Sequence, residues 1–278
     1  MNKFLIVAND DKDIDLCLSK KISEYLWKRD GEAAIVSDTN KDYDGLFIKE
    51  ELIKETEAVI VLGGDGTMLR AAHALGNHNI PIMGINLGTL GFLTEVEKCN
   101  VYKALDRLLS NDFSLENRMM IEGRVKDHIY HSLNDVVITR AGFSRIIGLS
   151  IYVNDQLLDT YEADGVIVAT PTGSTGYNLS AGGPIISPKA RAIVVTPISP
   201  HSLTSKSVVF DSMDKIRIEI AKQRRTQETE AIVSFDGDNN MELSAGDVVS
   251  VSVSAREIQL IKMYDVNFYS VLRDKIGG

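Results

Sequence analysis

The sequence has few cysteines and no excess of positive charge. Among 278 residues the only cysteines are Cys17 and Cys99, and neither belongs to a C-x-x-C pattern. Two isolated thiols do not form the disulfide framework of a secreted domain, so they favour a protein of the reducing cytoplasm. The net charge of −9 argues against a nucleic-acid partner, because a nucleic-acid-binding protein needs a basic face.

Long apolar runs are also missing. No run approaches the ~20 residues that a membrane-spanning helix needs. The first apolar segment, Phe4–Ala8, is far too short for a signal peptide. We therefore expect no membrane partner. The hydrophobic fraction of 44% is nevertheless ordinary, so the chain can bury a sizeable core in one large or two ordinary domains.

Residues 1–115 alternate strand-like and helix-like segments, which predicts an α/β N-terminal domain. The predicted strands are Phe4–Ala8, Ala33–Val36, Ala58–Leu62 and Pro81–Ile85. The predicted helices are Ile14–Lys28, Leu46–Lys54, Met68–Leu75 and Val101–Leu109. This order is typical of a doubly wound, mostly parallel sheet, in which ligands bind beyond the carboxyl ends of the strands.

From residue 116 the pattern changes to short β-rich runs between turns, which predicts a second, β-rich domain over residues 116–262. The predicted strands are Met120–Val125, Val136–Thr139, Gly148–Val153, Gln156–Tyr161, Val166–Ala169, Ala192–Thr196, Lys215–Ile220, Ala231–Phe235 and Val248–Ser254. Asn154-Asp155 is typical of a hairpin turn, and a helical pattern occurs around Ser174–Ala181. Residues 263–278 are expected to form a partly helical C-terminal segment that packs back on the N-terminal domain.

A glycine turn, Gly63-Gly64-Asp65-Gly66-Thr67, follows the predicted strand Ala58–Leu62 and leads into a helix. Such a turn exposes backbone N–H groups at a helix N-terminus, where a phosphate is favoured. A carboxylate beside a phosphate is repulsive unless it takes a proton from an attacking hydroxyl or works with a divalent metal. Asp65 therefore favours phosphoryl transfer to an alcohol, although the turn alone is equally compatible with a tight structural connection.

Two common nucleotide motifs are excluded at this turn. The Walker pattern GxxxxGK[ST] is absent from the chain. Leu69 stands where a dinucleotide fingerprint beginning at Gly64 would need its third glycine. The turn therefore belongs neither to a P-loop nor to a hydride-transfer Rossmann site.

A second glycine-rich block, Asp164–Pro184, is longer and less usual than the turn. A strand-like run leads to a loop rich in glycine, serine and threonine, followed by Tyr177. The N–H and hydroxyl donors of such a loop suit phosphates and ribose, and Tyr177 can stack on a base. The alternative, a crossover loop of a β-sandwich, does not require so many glycines and hydroxyls.

Three further features are weaker evidence for a functional site. Asn134-Asp135 opens a strand and can bind an amide or a ribose hydroxyl, but a turn cap is the simpler interpretation. Asp236 and Asp238 lie two residues apart and can bind a cation or a substrate, but a solvated hairpin tip is the simpler interpretation. The five histidines have no metal-binding spacing.

Taken together, these motifs resemble those of the bacterial NAD kinases. The matching stretches are, in the expected order, Gly63–Thr67, Asn86–Leu93, Asn134-Asp135, Asp164–Pro184 and Thr196–His201. The resemblance covers nearly the whole chain, and the second block is its most specific part, since lipid kinases and 6-phosphofructokinases carry a similar glycine turn. It implies an α/β N-terminal domain, a β-rich C-terminal domain and NAD bound between them. It also implies the reaction ATP + NAD⁺ → ADP + NADP⁺, a divalent cation, usually Mg²⁺, and a homo-oligomer, commonly a tetramer.

The resemblance assigns roles to individual residues. Asp65 would be the base that deprotonates the 2′-hydroxyl of the adenosine ribose, and Gly66 would lie along the phosphates. Arg70 and Arg145 would neutralise phosphate charge. The expected nucleotide-binding residues are Gly64, Asp65, Gly66, Arg70, Phe92, Asn134, Asp135, Arg145, Glu162, Asp164, Thr175, Gly176, Tyr177, Asn178, Leu179 and Ser180.

On the dinucleotide, the resemblance implies that Asn134 and Asp135 hold ribose hydroxyls. Asp164 would hold the nicotinamide-side carboxamide or ribose, and Ser180 would donate to the adenine or ribose edge. The adenine pocket would be lined by Phe92, Thr175 and Tyr177.

Three positions depart from the family pattern. Asp135 stands where many members have Glu, which keeps the carboxylate but shortens its reach. Gly176 stands where many have Ala, and this loosens the adenine pocket. Glu162 replaces a basic residue that some members carry two positions before the aspartate. Because that basic residue is linked to accepting or refusing NADP-like ligands, Glu162 bears on substrate selection.

Two other functions share part of this pattern. A lipid kinase with the same glycine turn would need an apolar, membrane-facing groove, and a net charge of −9 does not favour binding to an anionic surface. A sensor that binds NAD(H) or NADP(H) without chemistry would have no use for the carboxylate of Asp65. The pattern as a whole therefore favours an NAD kinase.

Overall fold

The computed structural model describes residues 1–38, 46–88, 91–141, 146–202, 205–221, 231–264 and 268–276. The chain forms two compact units, Met1–Arg118 together with Ile258–Gly278 (unit 1) and Met119–Glu257 (unit 2). It passes from one unit to the other after Arg118 and after Glu257, whereas we expected domain boundaries after residues 115 and 262.

Strands occur in both units, and the longer helices belong to unit 1. The strands are β1 (Lys3–Ala8), β2 (Glu32–Ser37), β3 (Ala58–Gly63), β4 (Ile82–Asn86), β5 (Val96–Glu97), β6 (Ser114–Val125), β7 (His128–Ser132), β8 (Asp135–Arg140), β9 (Ile147–Val153), β10 (Gln156–Ala163), β11 (Gly165–Ala169), β12 (Ala192–Ile198), β13 (Val208–Asp211), β14 (Ile216–Ala221), β15 (Ala231–Phe235), β16 (Asp238–Leu243) and β17 (Val248–Lys262). The helices are α1 (Cys17–Trp27), α2 (Glu50–Glu55), α3 (Asp65–Ala74), α4 (Val101–Leu109), α5 (Tyr177–Ser180) and α6 (Phe268–Ile276).

Unit 1 is built on a parallel sheet with the strand order β2-β1-β3-β4, next to which the last residues of β17 also run parallel. Strands β3 and β4 are buried at every position, which is why they stand out in the sequence as continuous apolar runs. In the register of β3 and β4, Gly63 lies opposite Asn86. The glycine turn and the loop after β4 therefore start side by side at the carboxyl edge of the sheet.

Helix α1 starts three residues later than predicted. Asp15 and Leu16 have φ angles of 55° and 54°, in the left-handed region, which interrupts the helix at this point. The carboxylate of Asp13 accepts the backbone N–H groups of Leu18 and Ser19 at 2.7 and 2.9 Å. Asp13 therefore satisfies donors of the first turn and fixes the start of α1.

Of the other helices of unit 1, only α4 has its predicted limits. Helix α3 starts at Asp65, three residues earlier than predicted, so that Asp65 lies in its first turn. Helix α2 is shorter than the predicted Leu46–Lys54, and α4 coincides with its prediction. Helix α6 begins at Phe268, and residues 265–267 of the predicted C-terminal helix lie outside the described residues.

Unit 2 consists of two sheets packed around one apolar core. One sheet has the antiparallel order β13-β12-β11-β8-β15-β16, and the other pairs β10, β9, β14 and the first part of β17. Strands β14 and β15 alternate buried and half-buried residues, as expected for strands with one face on a core. The fully buried Phe235 at the end of β15 contributes a large side chain to this core.

Strand β11 is buried on both faces. Val166 and Val168 belong to the core between the two sheets, whereas Ile167 and Ala169 belong to a second cluster against which Ile186 packs. The chain that follows β11 therefore folds back over the outer face of its own sheet and carries the glycine-rich block with it.

The predicted fold class is confirmed by the parallel α/β sheet of unit 1 and the β-rich architecture of unit 2. Strands β5, β7, β13 and β16 were not predicted. Strand β17 continues to Lys262, although the β-rich run predicted an end at Ser254.

Candidate functional site

Asp65 is the first residue of α3, and its side chain is held by backbone donors. Oδ2 accepts the N–H of Phe92 at 2.8 Å, and Oδ1 accepts the N–H of Leu93 at 3.0 Å. The residue is half-buried. Because a carboxylate oxygen has more than one lone pair, both oxygens can still accept a proton or a further hydrogen bond. The two hydrogen bonds therefore orient the carboxylate and leave it able to accept a proton.

The segment that binds Asp65 requires a glycine. A Cβ at Gly91 would overlap Asp65 Oδ1 and its carboxyl carbon. Gly91 therefore allows the backbone of Phe92 and Leu93 to approach the carboxylate closely. The neighbouring Thr89 and Leu90 of the predicted motif lie outside the described residues.

Arg70 is paired with a buried carboxylate. Its guanidinium forms an ion pair with Asp38, whose side chain is completely buried. The same carboxylate oxygen accepts hydrogen bonds from Asn9 Nδ2 at 2.9 Å and from Thr67 Oγ1 at 3.0 Å. The predicted contact of Arg70 with phosphate stays a prediction, and the contact observed within the chain is to Asp38. Asp38 was missed in the sequence because nothing local distinguishes it.

A lysine that the sequence did not single out lies beside the glycine turn. Lys12 Nζ is 3.4 Å from the position of a Cβ on Gly64 and 3.6 Å from that of a Cβ on Gly88. Within the described ranges, the hydrogen bonds of Lys12 involve its backbone, and its ammonium has no ion pair. Lys12 follows β1, whose carboxyl end lies at the same sheet edge, and this position is the signal that could have identified it.

Phe92, predicted to line the adenine pocket, combines a backbone donor with an aromatic ring. Its ring centroid lies 5.9 Å from that of Phe268, and the ammonium of Lys275 lies 4.8 Å from the Phe92 ring centroid. Both partners belong to α6. Phe92 is only half-buried, so part of the residue is open to a ligand.

In unit 2, Asn134 and Asp135 lie at the start of β8 with side chains that make no hydrogen bond to the described residues. Asp135 is only 6% exposed. Burial and, secondly, the negative charge of Asp236 raise the pKa of Asp135 to about 7. The pair therefore offers an amide and a carboxyl group to a ligand.

The prediction of a solvated hairpin tip is wrong for Asp236. Its carboxylate accepts the backbone N–H groups of Leu133, Asn134 and Asp135 at 2.6, 2.7 and 2.9 Å. Asp238, in contrast, is exposed. A contact between residues about 100 positions apart in the chain leaves no local pattern, so sequence reasoning could not find it.

Asn178 shapes the glycine-rich block from inside. It is completely buried, its amide donates to the carbonyl groups of Ser174 at 3.1 Å and Pro184 at 3.0 Å, and its oxygen accepts Thr196 Oγ1 at 2.7 Å. Its predicted contact with the nucleotide stays a prediction, while the observed contacts hold the loop together. Tyr177 on the same short helix is 45% exposed.

The remaining predicted residues of the block differ in exposure. Gly176 and Ser180 are exposed, and Thr175 and Leu179 are half-buried. These positions surround Tyr177, so the outer side of the block carries backbone, hydroxyl and aromatic groups that a ligand can reach.

Asp164 follows β10, and Oδ1 of its carboxylate accepts the Nε–H of Arg140 at 2.8 Å. Glu162, two residues earlier, is exposed, and its backbone carbonyl accepts the N–H of His201 at 2.8 Å. Arg145, predicted to neutralise phosphate charge, lies outside the described residues.

The described part of the chain contains no group of three or more His, Cys, Asp and Glu side chains placed to hold a metal ion. Over the same ranges, none of the helices has the length and apolar character needed to cross a membrane.

Comparison with known proteins covers almost the whole chain. The family model of the ATP-NAD kinase N-terminal domain matches residues 4–113, and that of the ATP-NAD kinase C-terminal domain matches residues 133–263. The NAD kinase of Lachnoclostridium phytofermentans is 45% identical over 284 aligned residues, which cover 100% of this chain and 99% of the relative. The NAD kinase of Agathobacter rectalis is 43% identical over 281 residues with the same coverage.

Comparison with solved structures also finds kinases of this kind. An NAD kinase from Archaeoglobus fulgidus in complex with ATP is 25% identical, with a TM-score of 0.80 over 99% of this chain and 98% of that one. The yeast NADH kinase complexed with NADH has the same fold, with a TM-score of 0.80 over 100% of this chain and 88% of that one.

Proposed function

The chain belongs to the ATP-NAD kinase family, and from this membership we propose that it transfers the γ-phosphoryl group of ATP to the 2′-hydroxyl of the adenosine ribose of NAD. The observation that carries the proposal is the position of Asp65. Its carboxylate lies in the first turn of α3 and is oriented by the N–H groups of Phe92 and Leu93. A base is thus presented beside a helix N-terminus, where phosphates are favoured.

Asp65 is proposed as the general base. A ribose hydroxyl is a poor nucleophile until a base takes its proton. Asp65 accepts this proton as the 2′-oxygen attacks the γ-phosphorus, and ADP leaves with the bridging oxygen. General base catalysis typically contributes roughly 10²–10⁴-fold to the rate, and positioning and charge stabilisation supply the rest of the acceleration.

The triphosphate needs N–H donors and positive charge. We assign the donors to the N-terminus of α3 around Gly64 and Gly66, and one positive charge to Lys12, whose ammonium lies beside the same turn. Mg²⁺ bound to the ATP phosphates would neutralise part of their negative charge. A cation bound through phosphates and water would need few protein ligands.

Within unit 2, NAD is assigned to side chains near the start of β8 and in the glycine-rich block. Asn134 and Asp135 hold ribose hydroxyls, and their unpartnered side chains support this assignment. Asn178 keeps the loop in shape. The remaining contacts within unit 2 are assigned to Glu162, Asp164, Thr175, Gly176, Tyr177, Leu179 and Ser180, and the adenine contact of Phe92 in unit 1 stays a prediction.

We also propose that the protein works as a cytoplasmic homo-oligomer, a dimer or tetramer. Cys17 and Cys99 are free and exposed, which suits a reducing compartment. The oligomer rests on the family resemblance, and light scattering of the purified protein measures its size.

A coupled assay for NADP⁺ formation from ATP, Mg²⁺ and NAD⁺ tests the function. Asp65→Asn keeps the size of the side chain but cannot accept the proton, so turnover is expected to fall at least ~100-fold. NAD affinity, measured by calorimetry, is expected to fall far less than turnover, because proton transfer is not part of binding. A small loss is expected, since the NH₂ of Asn would face the N–H of Phe92 or Leu93. Asp127→Asn, which alters an exposed carboxylate between β6 and β7, is the matched control.

The outcomes separate the alternatives. A wild type that binds NAD⁺ saturably but forms no NADP⁺ would support a dinucleotide sensor. Phosphorylation of diacylglycerol in vesicles without NADP⁺ formation would support a lipid kinase. Loss of folding or of NAD binding in Asp65→Asn would assign Asp65 a structural role.

A further inference from the structure

Leu133–Asp135, here termed the anchor segment, is held by a single carboxylate. Asp236 accepts the N–H groups of all three residues, at 2.6 Å from Leu133, 2.7 Å from Asn134 and 2.9 Å from Asp135. The N–H of Asp236 donates back to the carbonyl of Asp135 at 3.0 Å. One residue of the turn between β15 and β16 thus binds donors and an acceptor of the anchor segment.

Thr170 binds the remaining carbonyl groups of the anchor segment. Its hydroxyl donates to the carbonyl of Leu133 at 2.5 Å, and its N–H donates to the carbonyl of Asn134 at 2.8 Å. A Cβ at Gly173 would overlap the carbonyl of Asn134, so the glycine-rich block fits closely against this backbone. Every backbone N–H and C=O of the anchor segment therefore has a partner, and the segment has little freedom to move.

Unlike the backbone of the anchor segment, its two polar side chains have no hydrogen-bond partners among the described residues. Asn134 is half-buried and Asp135 nearly buried, and neither side chain has a hydrogen-bond partner in the described part of the protein. A nearly buried polar group without a partner costs free energy. A ligand hydroxyl that pairs with it removes that cost.

We propose that Asp236 is a positioning residue of the dinucleotide site, which fixes the anchor segment and thereby aims Asn134 and Asp135 at the ribose of NAD. This inference rests on the proposed function, because the assignment of both side chains to NAD comes from it. Asp236 acts through the backbone and needs no contact with the ligand. Because the segment is ordered during folding, binding does not have to order it again.

The backbone of Asp236 makes a selective test possible. Its φ angle is 52°, in the left-handed region that Asp and Asn tolerate better than other residues with a side chain. Asp236→Asn therefore preserves the turn. It keeps one acceptor, which can serve Asn134 and Asp135, but places an NH₂ group against the N–H of Leu133. The substitution loosens the anchor segment while leaving the hairpin intact.

Calorimetric titration of the full-length protein with NAD⁺ measures the effect. Asp236→Asn is expected to lower NAD affinity about tenfold and to raise the KM for NAD by the same factor. The KM for ATP is expected to change less than about twofold, since the glycine turn belongs to unit 1. Asp238→Asn, which removes an exposed carboxylate of the same hairpin, serves as the control and leaves both constants unchanged. Equal NAD affinity in the two variants would overturn the proposal.

A double-mutant cycle distinguishes positioning from a general structural role. In a background that carries Asn134→Ala and Asp135→Ala, the side chains that Asp236 positions are gone. Asp236→Asn is then expected to change NAD affinity less than about twofold, because residues that act through each other are not additive. A further tenfold loss in this background would show that Asp236 acts by another route.

Hydrogen exchange in the unsubstituted protein gives an independent test that does not depend on a variant folding. The amides of the anchor segment are expected to exchange slowly without ligand, since all three are hydrogen-bonded. Fast exchange that slows only when NAD⁺ is added would overturn the proposal. A wild type that forms no NADP⁺ contradicts the proposed function, whereas an active wild type with unchanged NAD affinity in Asp236→Asn contradicts only the positioning role.

Discussion

Asp38 and Arg70 form an ion pair in which the carboxylate is completely buried while about a third of the arginine side chain is exposed. Asn9 and Thr67 donate to the same carboxylate oxygen. Asn9 follows β1, Asp38 follows β2, and Thr67 belongs to α3. The pair therefore ties the helix that carries Asp65 to the ends of two neighbouring strands.

Arg70→Ala is expected to lower the free energy of unfolding by about 3 kcal/mol, because it leaves the buried carboxylate of Asp38 without its counter-ion. Adding Asp38→Asn to the same chain removes that charge and is expected to restore most of the loss. Urea unfolding of the wild type, the single variant and the double variant measures both effects. Unchanged stability together with a large rise in the KM for ATP would instead assign Arg70 to the phosphates.

Lys12→Met is expected to raise the KM for ATP about tenfold, because the ammonium beside Gly64 is assigned to the triphosphate. Methionine keeps most of the length of the side chain and removes its charge. The KM for NAD is expected to stay within about twofold. Lys21→Met, which alters an exposed lysine of α1, is the control in the same steady-state assay. Equal KM values for ATP in the two variants would exclude Lys12 from the site.

Gly91→Ala is expected to reduce kcat at least ~100-fold, since the new Cβ would displace the carboxylate of Asp65. The double variant Gly91→Ala with Asp65→Asn tests whether displacement of the base is the cause. If Gly91→Ala acts by moving the base, it has little further effect on a chain that already lacks the base. Rapid single-turnover measurement of NADP⁺ formation gives the rate of the chemical step. Independent losses from the two substitutions would contradict this explanation.

Asp135 gives the stability a predicted pH dependence. Burial and the charge of Asp236 raise the pKa of Asp135 from its ordinary value of 3.8 to about 7. Between these values the folded protein holds a proton that the unfolded chain has lost. The free energy of unfolding therefore falls as the pH rises, with a slope from this group of at most ~1.4 kcal/mol per pH unit.

Asp135→Asn removes this titration. The variant is expected to gain stability relative to the wild type as the pH rises from about 5 to about 7, with no further gain above about pH 8. Urea unfolding of both proteins across this range measures the difference. A stability difference that does not change with pH would show that the carboxyl group of Asp135 titrates normally.

Much of the framework was predictable from the sequence for physical reasons. Strands buried on both faces form continuous apolar runs, so β1, β3 and β4 were identified close to their true limits. Glycines mark the end of β3, and the carboxylate among them indicates phosphoryl transfer. Helix α4 has an apolar stripe of helical period and matches its predicted limits.

The parts that could not be predicted depend on contacts between distant segments. The hydrogen bond from Thr67 to Asp38 spans 29 residues, and that from Leu133 to Asp236 spans 103. Carboxylates that bind distant partners look, in the sequence, like any surface carboxylate. The late start of α1 has a local cause, because Asp15 and Leu16 both have positive φ angles. Neither residue is a glycine, so the sequence does not indicate this break.

Unit 1 combines residues from before and after unit 2. The residues of unit 2 are contiguous, so during translation they leave the ribosome together and can fold while the rest of the chain is being made. When the last residue of unit 2 has been synthesised, unit 1 still lacks Leu260, which pairs with Ile82, and helix α6, which contacts Phe92. The parallel sheet whose strand β3 leads to Asp65 is therefore completed only after nearly the whole chain has been synthesised. A chain interrupted before residue 258 contains every residue of unit 2 but lacks the last strand segment of the parallel sheet.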